Sequence, residues 1–172
     1  MLRKLSTKTL TDLSLVKDHL KVDYTDEDTL IGGYIDVAHN LVEDYTSIAI
    51  GVQTFEEYLT ADMTEDFVYL SINPLVAISE VIEIDEVDGA EIDVTSDVVK
   101  ITNSLGTRIK TDKKKSYKVT YSAGVDLVDI PKQMHQAILL CTSDMFENRI
   151  EKVKQKRTSV EYLLNQVSIK RI

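Results

Sequence analysis

Tryptophan is absent from this 172-residue chain, and cysteine and histidine are too scarce to suggest a metal site rich in either residue. The single cysteine, Cys141, allows no disulfide within one chain. Because Cys141 stands in an apolar helical pattern, we interpret it as a core residue rather than a nucleophile. The three histidines, His19, His39 and His135, do not stand at metal-ligand spacing from the cysteine or from each other. We predict that His39 lies at the surface or at the boundary of the core.

Long apolar runs and catalytic motifs are also lacking. No stretch approaches the roughly 18–20 apolar residues of a membrane span, and the first residues, MLRKLSTKTL, lack the apolar centre of a signal peptide. The chain contains no G-x-S-x-G, no Walker loop and no G-x-G-x-x-G. We therefore predict no export, no membrane contact, no catalysis, no cofactor and no metal. A small hydrolase whose site assembles in space stays as a third hypothesis.

Charge is plentiful but unevenly distributed. The net charge is −9, and hydrophobic residues make up 43% of the chain, which is enough for the core of one domain. Residues 1–112 carry 8 Lys and Arg against 23 Asp and Glu, whereas residues 113–172 carry 12 against 6. An acidic body with a basic C-terminal third suits contact between copies, or with an acidic partner. An uneven solvated surface explains the same counts and is the simpler interpretation.

Two amphipathic helices are predicted near the start of the chain, after residues 1–10, which we expect to lie loosely. The first runs from about Asp12 to Leu20. The second begins at a sequence that resembles a capping box, Thr25-Asp26-Glu27-Asp28. Its predicted buried positions recur at helical spacing: Ile31, Ile35, Ala38, Val42 and Tyr45, broadened by Leu30, Tyr34 and Leu41. Gly32-Gly33 weakens this helix, and either close packing of another backbone or a local kink explains the pair.

From Gly51 the sequence alternates as β-strands do. The predicted strands cover residues 53–59, 67–72, 75–84, 98–102, 107–110 and 116–122. Asp88-Gly89 signals a hairpin turn, and connections of hairpin length predict a mostly antiparallel sheet. A further predicted hairpin loop contains Lys113, Lys114 and Lys115. A solvated turn is the simpler interpretation of these lysines, and contact with DNA phosphates is the alternative.

A third helix follows a glycine turn. Asp129 is predicted to cap it, with Pro131 in its first turn, where the missing N–H of proline costs little. Its predicted apolar face is Met134, Ile138, Cys141 and Met145, widened by Ala137 and Phe146. The basic tail, 151–172, then contains a short amphipathic segment over 159–167. That segment either docks back on its own chain or reaches another subunit.

Two groups of residues carry a resemblance to a known family. The first is Tyr121-Ser-Ala-Gly124, then Ile130-Pro131, an apolar helix and Phe146-Glu-Asn-Arg149. The second is Val16-Lys-Asp-His-Leu-Lys-Val-Asp23, then Asp26-Glu-Asp28 and Val42-Glu-Asp-Tyr-Thr46. In this order and spacing they resemble the head–tail connector (adaptor) proteins of tailed bacteriophages. The chain departs from the family pattern at Met145-Phe146, where an aromatic pair is common, and at Ser47-Ile48, where Gly-Arg is common.

The resemblance implies an α+β fold and a single connector domain over 1–172. It implies a helical bundle, formed by two N-terminal helices in 12–46 and a long C-terminal helix in 129–150, with an inserted antiparallel β subdomain over 52–122. It also implies a structural, non-enzymatic virion protein. That protein forms a homo-oligomeric ring, typically dodecameric in the family, below the portal protein.

The resemblance further implies the partners and sites of such a ring. The ring would meet the next connector or stopper, or a tail protein, and would pass DNA through its channel without sequence specificity. Assembly in the host bacterial cytoplasm and a final place in the virion follow. The candidate channel loop is Lys113, Lys114 and Lys115. The candidate residues for portal or subunit contact are Lys152, Lys154, Lys156, Arg157, Tyr162, Leu163, Leu164, Ile169, Lys170 and Arg171.

A second hypothesis from a different class remains open at this point. A small non-viral module that holds a peptide or protein with its sheet or tail, without catalysis, is compatible with the same composition. Such a module would be monomeric or dimeric in solution. Neighbouring genes for portal, protease and capsid proteins would favour the connector over this module.

Overall fold

The computed structural model describes residues 1–5, 11–60, 67–85, 89–103, 106–110, 115–126, 129–148 and 158–169. Helices and antiparallel sheets are both present, so the α+β class is confirmed. The chain forms two compact units. The first consists of Met1–Lys8, Ser47–Asp126 and Ile169–Ile172, and the second of Thr9–Thr46 and Leu127–Ser168. No helix in the described part of the chain is long and apolar enough to span a membrane.

The first unit holds two antiparallel sheets. The five-stranded sheet has the order β1-β2-β8-β4-β5, and the three-stranded sheet has the order β3-β7-β6. A short 3-10 turn, Thr95–Asp97, follows β5. The strands are β1 Leu2–Lys4, β2 Gln53–Leu59, β3 Phe67–Tyr69, β4 Leu75–Ile84, β5 Glu91–Asp93, β6 Lys100–Asn103, β7 Gly106–Lys110 and β8 Ser116–Ala123. The predicted antiparallel pairing and the hairpin turn after β4 are confirmed, but the second strand of that hairpin, β5, was not predicted.

β8 lies at the centre of the five-stranded sheet and pairs with β2 on one side and β4 on the other. Every second residue of β8 is buried, as expected for a strand with one face on the core. β2 alternates in the same way, and Phe55 packs against Tyr121 with ring centroids 5.8 Å apart. The buried core of this unit comprises Ala49, Phe55, Leu59, Leu70, Ile72, Val81, Ile109, Tyr117, Val119, Tyr121 and Ala123.

One carboxylate, Glu57, is buried beside this core and accepts hydrogen bonds from several donors. The Tyr121 hydroxyl donates to it at 2.9 Å, and the Ser71 backbone N–H donates at 2.9 Å. The Ser71 hydroxyl donates as well. Because a buried charge is costly unless it is hydrogen-bonded, these donors make the inward position of Glu57 tolerable.

A close backbone approach explains the glycine at the end of β8. Gly124 has φ +137°, and a Cβ at this position would lie 2.1 Å from the Gly51 carbonyl oxygen. Hydrogen bonds hold the two segments together: the Gly51 N–H donates to the Val125 carbonyl at 2.7 Å, and the Gly124 N–H donates to the Pro74 carbonyl at 2.9 Å. A side chain at residue 124 would therefore separate strands that these bonds join.

The second unit contains the helices α1 Leu13–Leu20, α2 Asp28–Thr46, α3 Lys132–Glu147 and α4 Thr158–Asn165. Asp12 caps α1, because its carboxylate accepts from the Ser14 N–H at 2.9 Å. The Lys17 ammonium contacts the Asp28 carboxylate at 2.6 Å and joins α1 to the first turn of α2. One core cluster of this unit comprises Val16, Val22, Ile31, Ile35 and Leu139, with Leu13, Leu20 and Phe146 packed against it.

Three local predictions are wrong. Residues 1–5 do not lie loosely, because β1 pairs with β2. His39 is buried rather than at the surface, and its Nε2 lies 2.5 Å from the Thr11 hydroxyl, which satisfies the ring in the interior. The cap of α3 is Pro131 rather than Asp129. Because the proline side chain has no hydrogen-bond acceptor, no side chain caps the helix, and the Pro131 carbonyl accepts from the Met134 N–H at 2.9 Å.

A matched pair of glycine substitutions tests this account of the backbone. We expect Gly124→Ala to lower the free energy of unfolding by about 3 kcal/mol or more, because of strain and steric overlap with Gly51. Gly33→Ala, on α2, should raise it by about 0.5–1 kcal/mol, since alanine favours the helix. Urea denaturation followed by circular dichroism measures both. Equal effects of the two substitutions would contradict the close approach at Gly124.

Candidate functional site

The lysine loop is only partly within the described residues. The Lys115 ammonium contacts the Glu83 carboxylate at 2.5 Å and is half exposed. Lys113 and Lys114 lie outside the described residues. The predicted hairpin is wrong: β7 pairs with β3 and β6, whereas β8 pairs with β2 and β4, so the connection between them links two sheets. Strand alternation sets which residues face the core, but it does not specify the neighbouring strand.

The amphipathic segment of the tail docks on its own chain. It forms α4, which packs against α2 and α3, and Leu164 is buried. The Tyr45 hydroxyl donates to the Asn165 side-chain oxygen at 3.1 Å. Leu163 and Ile169 are half-buried, whereas Tyr162 is 69% exposed. The other predicted contact residues lie outside the described residues: Lys152, Lys154, Lys156, Arg157, Lys170 and Arg171.

A surface that sequence periodicity missed lies along α2. Four residues of this helix were predicted to be buried or to broaden the buried face. Three of them, Leu30, Leu41 and Tyr45, are between 39% and 42% exposed, and Tyr34 is half-buried. The neighbouring Val37 is 46% exposed. They recur at helical spacing and form one row, which we name the α2 stripe: Leu30, Tyr34, Val37, Leu41 and Tyr45. The buried side of α2 is instead completed by His39, Glu43 and Thr46.

The reason for this error is that the apolar arc of α2 is wider than the surface that the other helices cover. A period of 3.6 residues shows that one side of a helix is apolar, but a wide arc does not show which part of it meets a neighbour. The apolar residues at the edge of the arc, such as Leu41, therefore face outward. In the sequence, the available signal for this surface was the large number of hydrophobic residues grouped on one helix.

Gly33 adjoins the α2 stripe, one turn before Val37. Apart from the neighbouring residues and the backbone of α2 itself, no heavy atom of the described residues lies within 4 Å of the position that a Cβ would take at Gly33, and the same holds for Gly32. Close packing of a backbone from the described part of the same chain therefore does not explain the two glycines. The helix α2 is continuous past the two glycines, from Asp28 to Thr46. Beside Gly33, Val37 is 46% exposed.

Acidic residues dominate the stretch of sequence that contains α2. No lysine or arginine occurs between Lys21 and Lys100, a stretch that contains 20 acidic residues. Two of these, Asp36 and Asp44, are exposed on the same helix as the α2 stripe.

Polar clusters elsewhere in the described residues have local structural roles. Hydrogen bonds from the Ser14 backbone and hydroxyl hold the pKa of Asp12 below its usual value, as expected for a helix cap. Hydrogen bonds from the Thr95 hydroxyl and backbone do the same to the pKa of Asp93 in the turn after β5. Within the described part of the chain, no group of three or more His, Cys, Asp or Glu side chains could hold a metal ion.

Comparison with known proteins now identifies the family. The model of the phage gp6-like head-tail connector proteins matches residues 10–171. The chain belongs to this family. The resemblance drawn from Tyr121–Arg149 and Val16–Thr46 is thereby confirmed, and family membership supports a structural connector role. No curated protein matches the sequence.

Solved structures of the same fold come from gene transfer agent (GTA) particles. The chain is 20% identical to a protein of the virion of a native GTA particle, with a TM-score of 0.83. It is 19% identical to one in the neck of an empty GTA particle computed with C6 symmetry, with a TM-score of 0.81. It is 20% identical to one in the neck of a native GTA particle computed with C12 symmetry, with a TM-score of 0.78. Each match covers 100% of this chain and 97% of the other.

Docking of α4 can be tested through its one fully buried leucine. We expect Leu164→Ala to weaken the docking by about 2–4 kcal/mol, since it removes buried methyl groups and leaves a cavity. Amide hydrogen exchange in residues 158–165 should accelerate by more than about tenfold. Tyr162→Ala serves as the control, because that side chain is 69% exposed and its removal should leave exchange nearly unchanged. Unchanged exchange in Leu164→Ala would refute the docking.

Proposed function

We propose that this connector forms a ring beneath the portal protein of a tailed phage or prophage and joins the DNA-filled head to the tail. The observation that carries the proposal is the family match over residues 10–171. The matches to necks of GTA particles computed with C6 and C12 symmetry support a ring of identical subunits. In this proposal the ring holds twelve copies, lies in the virion and assembles in the host bacterial cytoplasm.

Each subunit contributes one connector domain, 1–172, to the ring. In this arrangement the helices within 12–46 and the long helix within 129–150 form a bundle, and 52–122 is an inserted β subdomain. The packing of α2 against α3 supports the bundle. The tail, 151–172, follows the last long helix.

A closed ring of identical copies needs a head-to-tail interface, in which two different surfaces of one subunit meet. The charge distribution suits such an interface, because residues 1–112 are strongly acidic and residues 113–172 are basic. Weak contacts repeated around a ring also add avidity, so no single contact has to be strong.

The basic segments supply the proposed partner contacts. The tail residues Lys152, Lys154, Lys156 and Arg157, together with α4, contact the portal or a neighbouring subunit. Lys113, Lys114 and Lys115 form a loop toward the channel or the ring axis, where lysines meet DNA phosphates without reading sequence. The opposite face of the ring receives the next connector, a stopper or a tail protein.

Binding to cognate portal rings tests the proposal. We expect the purified protein to bind the portal as a ring of many copies, because family members act at the head–tail junction. Multi-angle light scattering gives the mass of the complex, and electron microscopy shows the added ring. A folded monomer that leaves the portal unoccupied at high concentration would contradict the proposal and favour a small binding module.

Two variants separate the proposed contacts. Removal of residues 158–172 should abolish portal or neighbour binding, since it takes away α4 and the end of the basic tail. Normal particle binding by the truncated protein would reject the tail assignment.

The triple variant Lys113→Glu/Lys114→Glu/Lys115→Glu should leave ring assembly intact but reduce retention of packaged DNA, which nuclease protection of particles measures. Normal DNA retention by this variant would reject the assignment of these lysines to the channel.

A further inference from the structure

We propose that the outward face of the three-stranded sheet is a subunit interface, on which Arg108 and Lys110 receive exposed carboxylates of the next copy in the ring. This inference rests on the proposed ring and names the surface through which one subunit meets its neighbour. The occupant is a second copy of the chain, and its acidic side chains are the groups that the face recognises.

The register of the three-stranded sheet places two cations and two aromatic rings on one face. Phe67 pairs with Lys110, and Tyr69 pairs with Arg108. Residues directly opposite each other on antiparallel strands have their side chains on the same side of the sheet, and successive residues of a strand alternate between sides. Ile109, between the two cations, packs into the core of the first unit. The face that carries Arg108 and Lys110 is therefore turned away from that core.

Arg108 is held in place by the two rings, but its charge has no partner within the subunit. Its guanidinium carbon lies 4.7 Å from the centroid of the Phe67 ring and 5.9 Å from that of the Tyr69 ring. These contacts fix the side chain over the sheet. The Nε–H is buried, and no described residue accepts a hydrogen bond from the guanidinium or forms an ion pair with it. A carboxylate is the acceptor that the planar set of guanidinium donors matches.

The three-stranded sheet is basic, although it lies in an acidic part of the chain. Its strands contain no Asp or Glu. They contain three of the eight Lys and Arg of residues 1–112, a stretch that carries 23 acidic residues. Lys110 is exposed and Arg108 is half-buried. Because arginine and aromatic residues are enriched in protein interfaces and dominate their binding energy, this composition favours a protein partner.

The chain itself supplies the complementary charge. Some exposed carboxylates form no side-chain hydrogen bond or ion pair with the rest of the subunit: Asp23, Asp26, Asp44, Glu80 and Glu91. Contact between two copies of the basic face would instead bring Arg108 and Lys110 of both subunits together, and like charges across an interface disfavour association. The basic face must therefore meet a different surface of its neighbour. Such a head-to-tail contact is the kind that closes a ring.

DNA phosphates are the other anions that the proposed function brings to the ring. Proteins bind DNA by neutralising many phosphates, and the affinity rises with the number of cations involved. The outward face offers only Arg108 and Lys110 among the described residues, on a chain of net charge −9. DNA also leaves the rings beneath Arg108 without a role. A carboxylate-bearing protein surface accounts for both the cations and the rings.

Zero-length carbodiimide cross-linking tests the contact, since it joins a lysine amine to a carboxylate only where the two touch. Unlabelled and heavy-nitrogen-labelled full-length proteins are mixed, assembled on cognate portal rings and cross-linked. Mass spectrometry then recognises links between copies as pairs of one light and one heavy peptide. We expect links from Lys110 to acidic residues between Lys21 and Lys100 of another copy. Lys100 is the control, because it pairs with Ile109 and so belongs to the opposite face of the sheet, and it should give no such links.

Every other outcome contradicts the inference. Links from Lys110 only within its own chain would show that the subunit covers the face itself, and links to portal would assign the face to the portal. Assembled rings without links from Lys110 would reject the contact, and loss of duplex DNA binding by such rings in the Lys110→Glu variant would assign the face to DNA. The proposed function is judged separately, by whether the unmodified protein assembles on portal at all.

Variants provide a second, independent measurement. Lys110→Glu should assemble on portal at least about tenfold more weakly than the unmodified protein, because it places a carboxylate opposite carboxylates. Arg108→Lys should weaken assembly as well, since lysine keeps the charge but lacks the planar set of donors. Lys100→Glu is the matched charge reversal on the opposite face and should assemble normally. Circular dichroism and the thermal midpoint establish that each variant is folded. Assembly of either folded variant, Lys110→Glu or Arg108→Lys, at the unmodified level would overturn the inference.

Discussion

The pairing of β8 with strands on both of its sides is the interaction on which the first unit depends. β8 bonds to β2 and to β4 along nearly its whole length, and its inward residues supply much of the core. Tyr121 on this strand also donates to the buried Glu57 carboxylate. At the end of β8, Gly124 allows the chain to pass against the Gly51 carbonyl. Packing and backbone geometry therefore explain the residue types of the Tyr121–Gly124 motif, and no catalytic role is needed to explain them.

Much of the fold could be predicted from sequence because local patterns determine it. Alternation and flanking turns predicted β2 and β4 with the bounds that the structure shows. Contacts between residues that are distant in sequence could not be predicted from such patterns. Which strand lies beside β7, what covers His39 and which part of the α2 arc meets a neighbour all depend on residues distant in sequence. The resemblance to a family supplied the role that these patterns could not.

The exposed apolar row on α2 and the uneven distribution of charge along the chain both bear on the proposed ring. The second unit buries one side of α2 among its own helices but leaves the α2 stripe exposed beside carboxylates. The C-terminal third of the same chain is basic, with 12 Lys and Arg against 6 Asp and Glu. A head-to-tail ring, as proposed above, brings two different surfaces of one subunit together and suits a chain whose charge is divided in this way.

The proposed role in joining head to tail can be tested by electron microscopy of particles that lack the protein. The phage or prophage that encodes the protein is produced with its gene deleted and with the gene restored in trans. We expect heads without attached tails and without the neck ring in the deletion, and complete particles after restoration. Complete tailed particles in the absence of the protein would show that it does not join head to tail.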